Sequence, residues 1–160
     1  MKFPLRILRT LHLLEDTALI FSLLVMLCMA LLQIVMRNFF ESGFLWAESF
    51  LRVLVLWVAV LGAMVATRER NHINIDLISR FLANRHFRWA ERLTNIFSAF
   101  ICTICAFYAV EYIQYEFEDG AIAFGFVPVW ITQSIIPVGF IVMACRFVYS
   151  GIWPIETERS

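Results

Sequence analysis

The sequence predicts an all-α integral membrane protein: four transmembrane helices and a short cytoplasmic amphipathic helix lying in the membrane interface. Three observations predict it. Hydrophobic residues make up 61% of the 160-residue chain and charged residues only 16%, where a soluble domain carries about 25% charged residues. The charges cluster between long apolar runs, and a helix needs about 20 such residues to cross a hydrocarbon layer of about 30 Å. Lys and Arg also fall almost entirely to one side of those runs. Formal net charge is zero and the pI is near 6.8, a balance that suggests no nucleic-acid partner.

Residues 17–36 carry no charge, and the first span is placed at 17–37. Lys2, Arg6 and Arg9 precede it, but the apolar run is too long for a signal-peptide core and lacks a small-residue cleavage site, so it reads as a retained span. The second uncharged run, 53–67, extends backward on a helical pattern to give a span at 44–67. The third span is 92–112. The fourth, 121–146, is the longest, so tilt is expected. Pro128 and Pro137, with Gly125 and Gly139 nearby, predict a bend or discontinuity in it, because each proline removes a helix hydrogen bond. A kinked helix of this kind either packs around its neighbours or lines a substrate path.

Orientation follows from the basic residues. Lys2, Arg6, Arg9, Arg68, Arg70, Arg80, Arg85, Arg88, Arg92, Arg146 and Arg159 share one side, eleven of the thirteen Lys and Arg. That side is read as the cytoplasm, with both termini inside. The segment between spans three and four carries Glu111, Glu116, Glu118 and Asp119 instead; it either meets a periplasmic partner or simply reflects topology. Between spans two and three, Leu77, Ile78, Phe81 and Leu82 fall on one helical face. This predicts an amphipathic helix at about 74–88, with Arg85 and Arg88 near anionic headgroups, or else a loop helix packed on the bundle. Phe87 and Trp89 suit headgroup depth on that side, and Tyr108, Tyr112 and Tyr115 on the other.

Chemistry-bearing patterns are sparse. Cys28, Cys102, Cys105 and Cys145 all lie in apolar stretches and read as small packing residues, including the Cys102-x-x-Cys105 pair. His12, His72 and His86 lie outside the apolar runs, which disfavours haem held between spans. His72 with Asp76 reads as a solvated pair rather than a metal site. Gln33, Asn95, Thr132, Gln133 and Ser134 are the polar residues inside spans; they suit hydrogen bonds across helices, although Gln33 and Gln133 could also touch a substrate. No phosphate loop or nucleophile–base arrangement is present, so no enzymatic activity is expected.

The most informative stretch opens span two. Glu48 and Arg52 are four apart with the acid first, the better orientation for a helical ion pair. The same face continues through Val55, Ala59, Gly62 and Ala66. Small residues allow close helix approach, and charges at membrane depth are costly unless paired or facing protein. The stripe therefore reads as facing protein, either another span or a partner subunit. The alternative places the pair at the outer boundary, reaching into water.

Gln33-Ile-Val-Met-Arg37-Asn38-Phe39-Phe40, Trp46-Ala-Glu48 with Arg52, Trp57-Val-Ala-Val-Leu-Gly62-Ala63 and Arg68-Glu-Arg-Asn-His72-Ile-Asn-Ile-Asp76 together resemble the small membrane subunit, DctQ-like, of tripartite ATP-independent periplasmic (TRAP) transporters. The resemblance is carried by the first half of the chain; the second agrees in span number and length. It implies a subunit of the bacterial inner membrane that widens a fixed scaffold. Its partners would be a large membrane subunit holding the substrate and sodium sites, and a soluble periplasmic binding protein delivering an organic acid such as a C4-dicarboxylate or sialic acid. No cofactor is implied in this chain. The assembly candidates are Arg37, Trp46, Glu48, Arg52, Trp57, Ala59, Gly62 and Ala66. Two rival readings fit less well. An autonomous four-helix multidrug exporter predicts an acid in the first span, and residues 17–36 have none. A membrane anchor of an oxidoreductase predicts histidines inside spans.

Overall fold

The computed structural model describes residues 3–40, 45–69 and 84–152. Helices α1 (Phe3–Phe40), α2 (Leu45–Glu69) and α3 (Asn84–Asp119) are followed by a hairpin of β1 (Ile122–Phe124) and β2 (Val127–Pro128), then by α4 (Val129–Gln133) and α5 (Ile135–Ile152). Four helical stretches are long and apolar enough to cross a membrane: Thr10–Phe39, Trp46–Arg68, Arg92–Asp119 and Val129–Ile152. The last combines α4 and α5. Of the expected interfacial helix, residues 74–83, with Leu77, Ile78, Phe81 and Leu82, lie outside the described residues. Residues 84–88 form the start of α3, so Arg85 and Arg88 stand on the same helix that runs into the third span.

The spans stand in a row. α1 packs on α2, α2 on α5, and α5 along most of α3. The core is correspondingly thin: Leu61 and Met64 of α2, Ala99 of α3, and Met143 and Phe147 of α5, with Trp57, Val60 and Phe140 against them. The outer faces of α1 and α3 stay bare, with Phe21, Phe100 and Phe107 all more than half exposed. In water such a surface would aggregate. Lipid tails are as apolar as leucine, so it costs nothing in a bilayer, and helix association there depends on close packing and polar contacts.

The seam between α2 and α5 shows that close packing. Gly139 is buried, and a Cβ built at that position would overlap Val60 Cγ1, with Met64 Sδ 3.7 Å away. Glycine is the residue that lets the two backbones approach here.

Residues 121–128, assigned to the fourth span by hydropathy, form the hairpin instead. Ala121 to Val129 carries no charge, so hydropathy reads straight through it, but the backbone does not. Gly120 adopts φ 66° and its N–H bonds the Glu116 carbonyl at 3.3 Å, the left-handed stop of a helix C-terminus. Gly125, φ 56°, takes the first turn position between the strands, where positive φ matches the strand twist. Pro128, extended at φ −72° and ψ 149°, precedes the first turn of α4. Edge-on ring contacts hold the hairpin in place: Phe124 on Phe50 of α2 at 5.2 Å, and just beyond it Trp130 on Phe117 of α3 at 5.5 Å.

The expected discontinuity in span four falls at Ser134, between α4 and α5. Pro137 lacks the N–H that would bond the carbonyl four residues earlier. Side chains take up neighbouring carbonyls: Ser134 Oγ donates to Ile131 at 2.7 Å, Thr132 Oγ1 to Val129 at 2.8 Å, and Trp57 Nε1, from α2, to Thr132 at 2.8 Å. A broken helix is tolerated at membrane depth because hydroxyls and neighbouring helices satisfy the freed backbone in this way.

Candidate assembly face and a polar brace

Helix α2 has two faces with different surroundings. Ala47, Leu61 and Met64 are buried, whereas Val55, Ala59 and Ala66 are exposed. The ion pair is formed: Arg52 Nη2 lies 2.6 Å from Glu48 Oε1, with the two side chains 76% and 69% exposed. Around Gly62, nothing lies within 4 Å of where a Cβ would sit. Among the described residues, the stripe of Glu48, Arg52, Val55, Ala59, Gly62 and Ala66 therefore meets no other span. It is an open strip along the outside of the row.

Trp57 stands apart from the strip. Two residues from Val55 is about 200° around a helix, and the Trp57 indole is turned inward onto the break in span four. Trp46 is half exposed and tilts onto Phe50 at 6.2 Å. Arg37 lies exposed in the last turn of α1. The side chains of Arg85 and Arg88 lie outside what the structure describes.

Helix rise places the pair by depth. From Arg68 to Arg52 is 16 residues, about 24 Å, and to Glu48 is 20 residues, about 30 Å. Glu48 thus reaches the far edge of a hydrocarbon layer of about 30 Å, with Arg52 about 6 Å inside it. An exposed i,i+4 pair adds only about 0.3–0.5 kcal/mol to a helix in water. Its importance lies in keeping an arginine near membrane depth from being an uncompensated charge.

At the opposite end of the spans lies a cluster that sequence reasoning missed. Arg146 of α5 reaches both carboxylate oxygens of Glu15 on α1, at 2.6 and 2.7 Å, and donates to the Met64 carbonyl of α2. Arg68 bonds Asp16 Oδ1 at 2.8 Å and the His12 carbonyl at 3.4 Å, with Glu15 Oε2 4.0 Å away. Glu15, Arg68 and Arg146 are mostly buried, at 13%, 20% and 21% side-chain exposure. Two acids and two arginines balance, and both cations sit at the C-terminal end of α2, where the helix dipole favours them. This brace ties α1, α2 and α5 together and puts the start of α1 and the ends of α2 and α5 on one side. Its one local signal was an acidic pair, Glu15-Asp16, on the otherwise basic side; Arg68 and Arg146 had read only as topology markers.

Among the described residues, no three His, Cys, Asp or Glu side chains gather as a metal site. Cys28, Cys102, Cys105 and Cys145 are free thiols.

This is a polytopic membrane protein whose polar side chains brace its helices and mark one open face. The family model described as "Tripartite ATP-independent periplasmic transporters, DctQ component" matches residues 26–153, and the chain belongs to that family. Among curated proteins it is 26% identical over 132 residues to the sialic acid TRAP transporter permease protein SiaT of Haemophilus influenzae strain 86-028NP, covering 80% of this chain and 21% of that one. It is 27% and 24% identical to two putative TRAP transporter small permease proteins of Haemophilus influenzae strain ATCC 51907, over 59% and 58% of this chain. The chain spans about a fifth of SiaT and just over half of the two small permeases. Family and fold together make it a multi-pass inner-membrane protein.

Proposed function

We propose that this subunit is a fixed scaffold, docked through the open strip of α2 onto a large membrane subunit that carries the substrate and sodium sites. The observation that carries the reading is the strip itself: an ion pair heading a line of small residues that the other described residues leave uncovered. Small-residue faces suit close helix contact, and a protein neighbour shelters Arg52 better than lipid does. SiaT supports a missing companion, because about four fifths of that permease has no counterpart in this chain.

The transporter imports an organic acid by sodium symport, and a periplasmic binding protein delivers the substrate; the name of SiaT favours sialic acid over a C4-dicarboxylate. This chain holds no cofactor, and sodium belongs to the large subunit. Both termini and the brace face the cytoplasm, in keeping with the placement of Lys and Arg.

The test is charge reversal at Arg52. Arg52→Glu places two acids four residues apart at the head of the strip, where they repel. Recovery of the large subunit by co-purification, and uptake of the substrate by cells, should both fall severalfold while the isolated subunit keeps its helical content. Normal co-purification and uptake would remove Arg52 from the interface.

A further inference from the structure

On the same side as the brace, but on the far flank of the row, α3 and α5 enclose a groove of about 440 Å³ lined by Trp89, Arg92, Leu93, Ile96, Gly151 and Ile152. Its walls are apolar except for Arg92, and Gly151 keeps its floor open; the nearest atoms to a Cβ there are Asn95 Cβ at 3.7 Å and Ile96 Cγ1 at 3.9 Å. Arg68 and Arg146 are spent within the brace, but Arg92 is exposed and forms no ion pair among the described residues. Its depth is defined. Arg92 begins the third apolar stretch, and 19 residues, about 29 Å of helix, separate it from Glu111 at the other edge.

We propose that this groove binds an anionic phospholipid of the adjoining leaflet. The guanidinium takes the headgroup phosphate, Trp89 lies at the headgroup–acyl boundary where its amphipathic ring is favoured, and Leu93, Ile96 and Ile152 hold the start of an acyl chain over Gly151. A guanidinium matches phosphate oxygens in charge and geometry, and basic pockets between membrane helices bind such headgroups. A lone arginine over an apolar slot fits a lipid better than a soluble anion, because an anion would leave the slot empty. The inference rests on the chain spanning a membrane and not on its docking to a large subunit, so either can fail alone.

The purified full chain in detergent, titrated with phosphatidylglycerol, phosphatidylcholine and inorganic phosphate, tests it by native mass spectrometry. Phosphatidylglycerol should be retained about fivefold more tightly than phosphatidylcholine, the ratio set by one surface cation. Arg92→Gln should abolish that preference, and Gly151→Leu should weaken retention of both lipids. Quenching of Trp89 by brominated phosphatidylglycerol in vesicles, taken as the difference from Trp89→Phe, gives a reading in which the groove is intact; it should exceed quenching by brominated phosphatidylcholine. Equal retention or equal quenching by the two lipids, a preference that survives Arg92→Gln, or displacement of phosphatidylglycerol by inorganic phosphate would each overturn the proposal.

Discussion

Arg146→Met should destabilise the subunit by about 2–4 kcal/mol, the cost of breaking a largely buried ion pair, reduced for its position near the membrane edge. Among the described residues the substitution leaves Glu15 with Arg68 as its nearest cation, at 4.0 Å, and removes a donor from the Met64 carbonyl. It also frees α5 from α1, which otherwise contacts the row chiefly through α2. A lower apparent melting temperature in detergent, with helical content retained at low temperature, is the expected readout. Adding Glu15→Gln should restore part of the loss, because an orphaned buried carboxylate costs more than a missing pair. If the single and double variants both melt with the parent, the brace does not hold the fold.

Gly139→Leu should be comparably damaging, for a steric reason. Val60 Cγ1 already occupies the place of a Cβ at position 139, and a valine on a helix has one strongly preferred rotamer, so it cannot swing aside. The helices must separate, at the seam that joins the α1–α2 pair to the α3–α5 pair. Overpacking of this kind costs about 1–3 kcal/mol, occasionally more, and at this seam a loss of folded protein is expected in size-exclusion profiles. Val60→Ala should partly rescue Gly139→Ala. Gly62→Ala, on the open face of α2, should leave the isolated subunit unharmed or slightly more stable, because alanine favours a helix by about 1 kcal/mol over glycine. Equal behaviour at the two glycines would refute this packing.

The contrast between those glycines shows what the sequence could and could not convey. Span number was legible because charge-free runs of membrane length admit few other solutions. The open strip of α2 was legible as a periodic pattern, although its two possible neighbours, another span or another protein, were not separable. Trp57 joined the assembly candidates through resemblance, yet helical spacing alone puts it on the opposite face from Val55. The hairpin at 122–128 was hidden from hydropathy because it is uncharged; Gly125 and Pro128 signalled a discontinuity there but not its form. The brace was out of reach for a different reason: Glu15 and Arg146 are 131 positions apart, and no local pattern pairs them.

The open strip of α2 is the face proposed to meet the large subunit. A photoreactive residue placed singly at Val55, Ala59 or Ala66, and for comparison at Phe100 or Phe107 on the outer face of α3, tests it most directly in the assembled transporter. Adducts with the large membrane subunit are expected from the α2 positions and lipid adducts from the α3 positions. Adducts with the large subunit from α3 alone, with the α2 positions labelling only lipid, would contradict it.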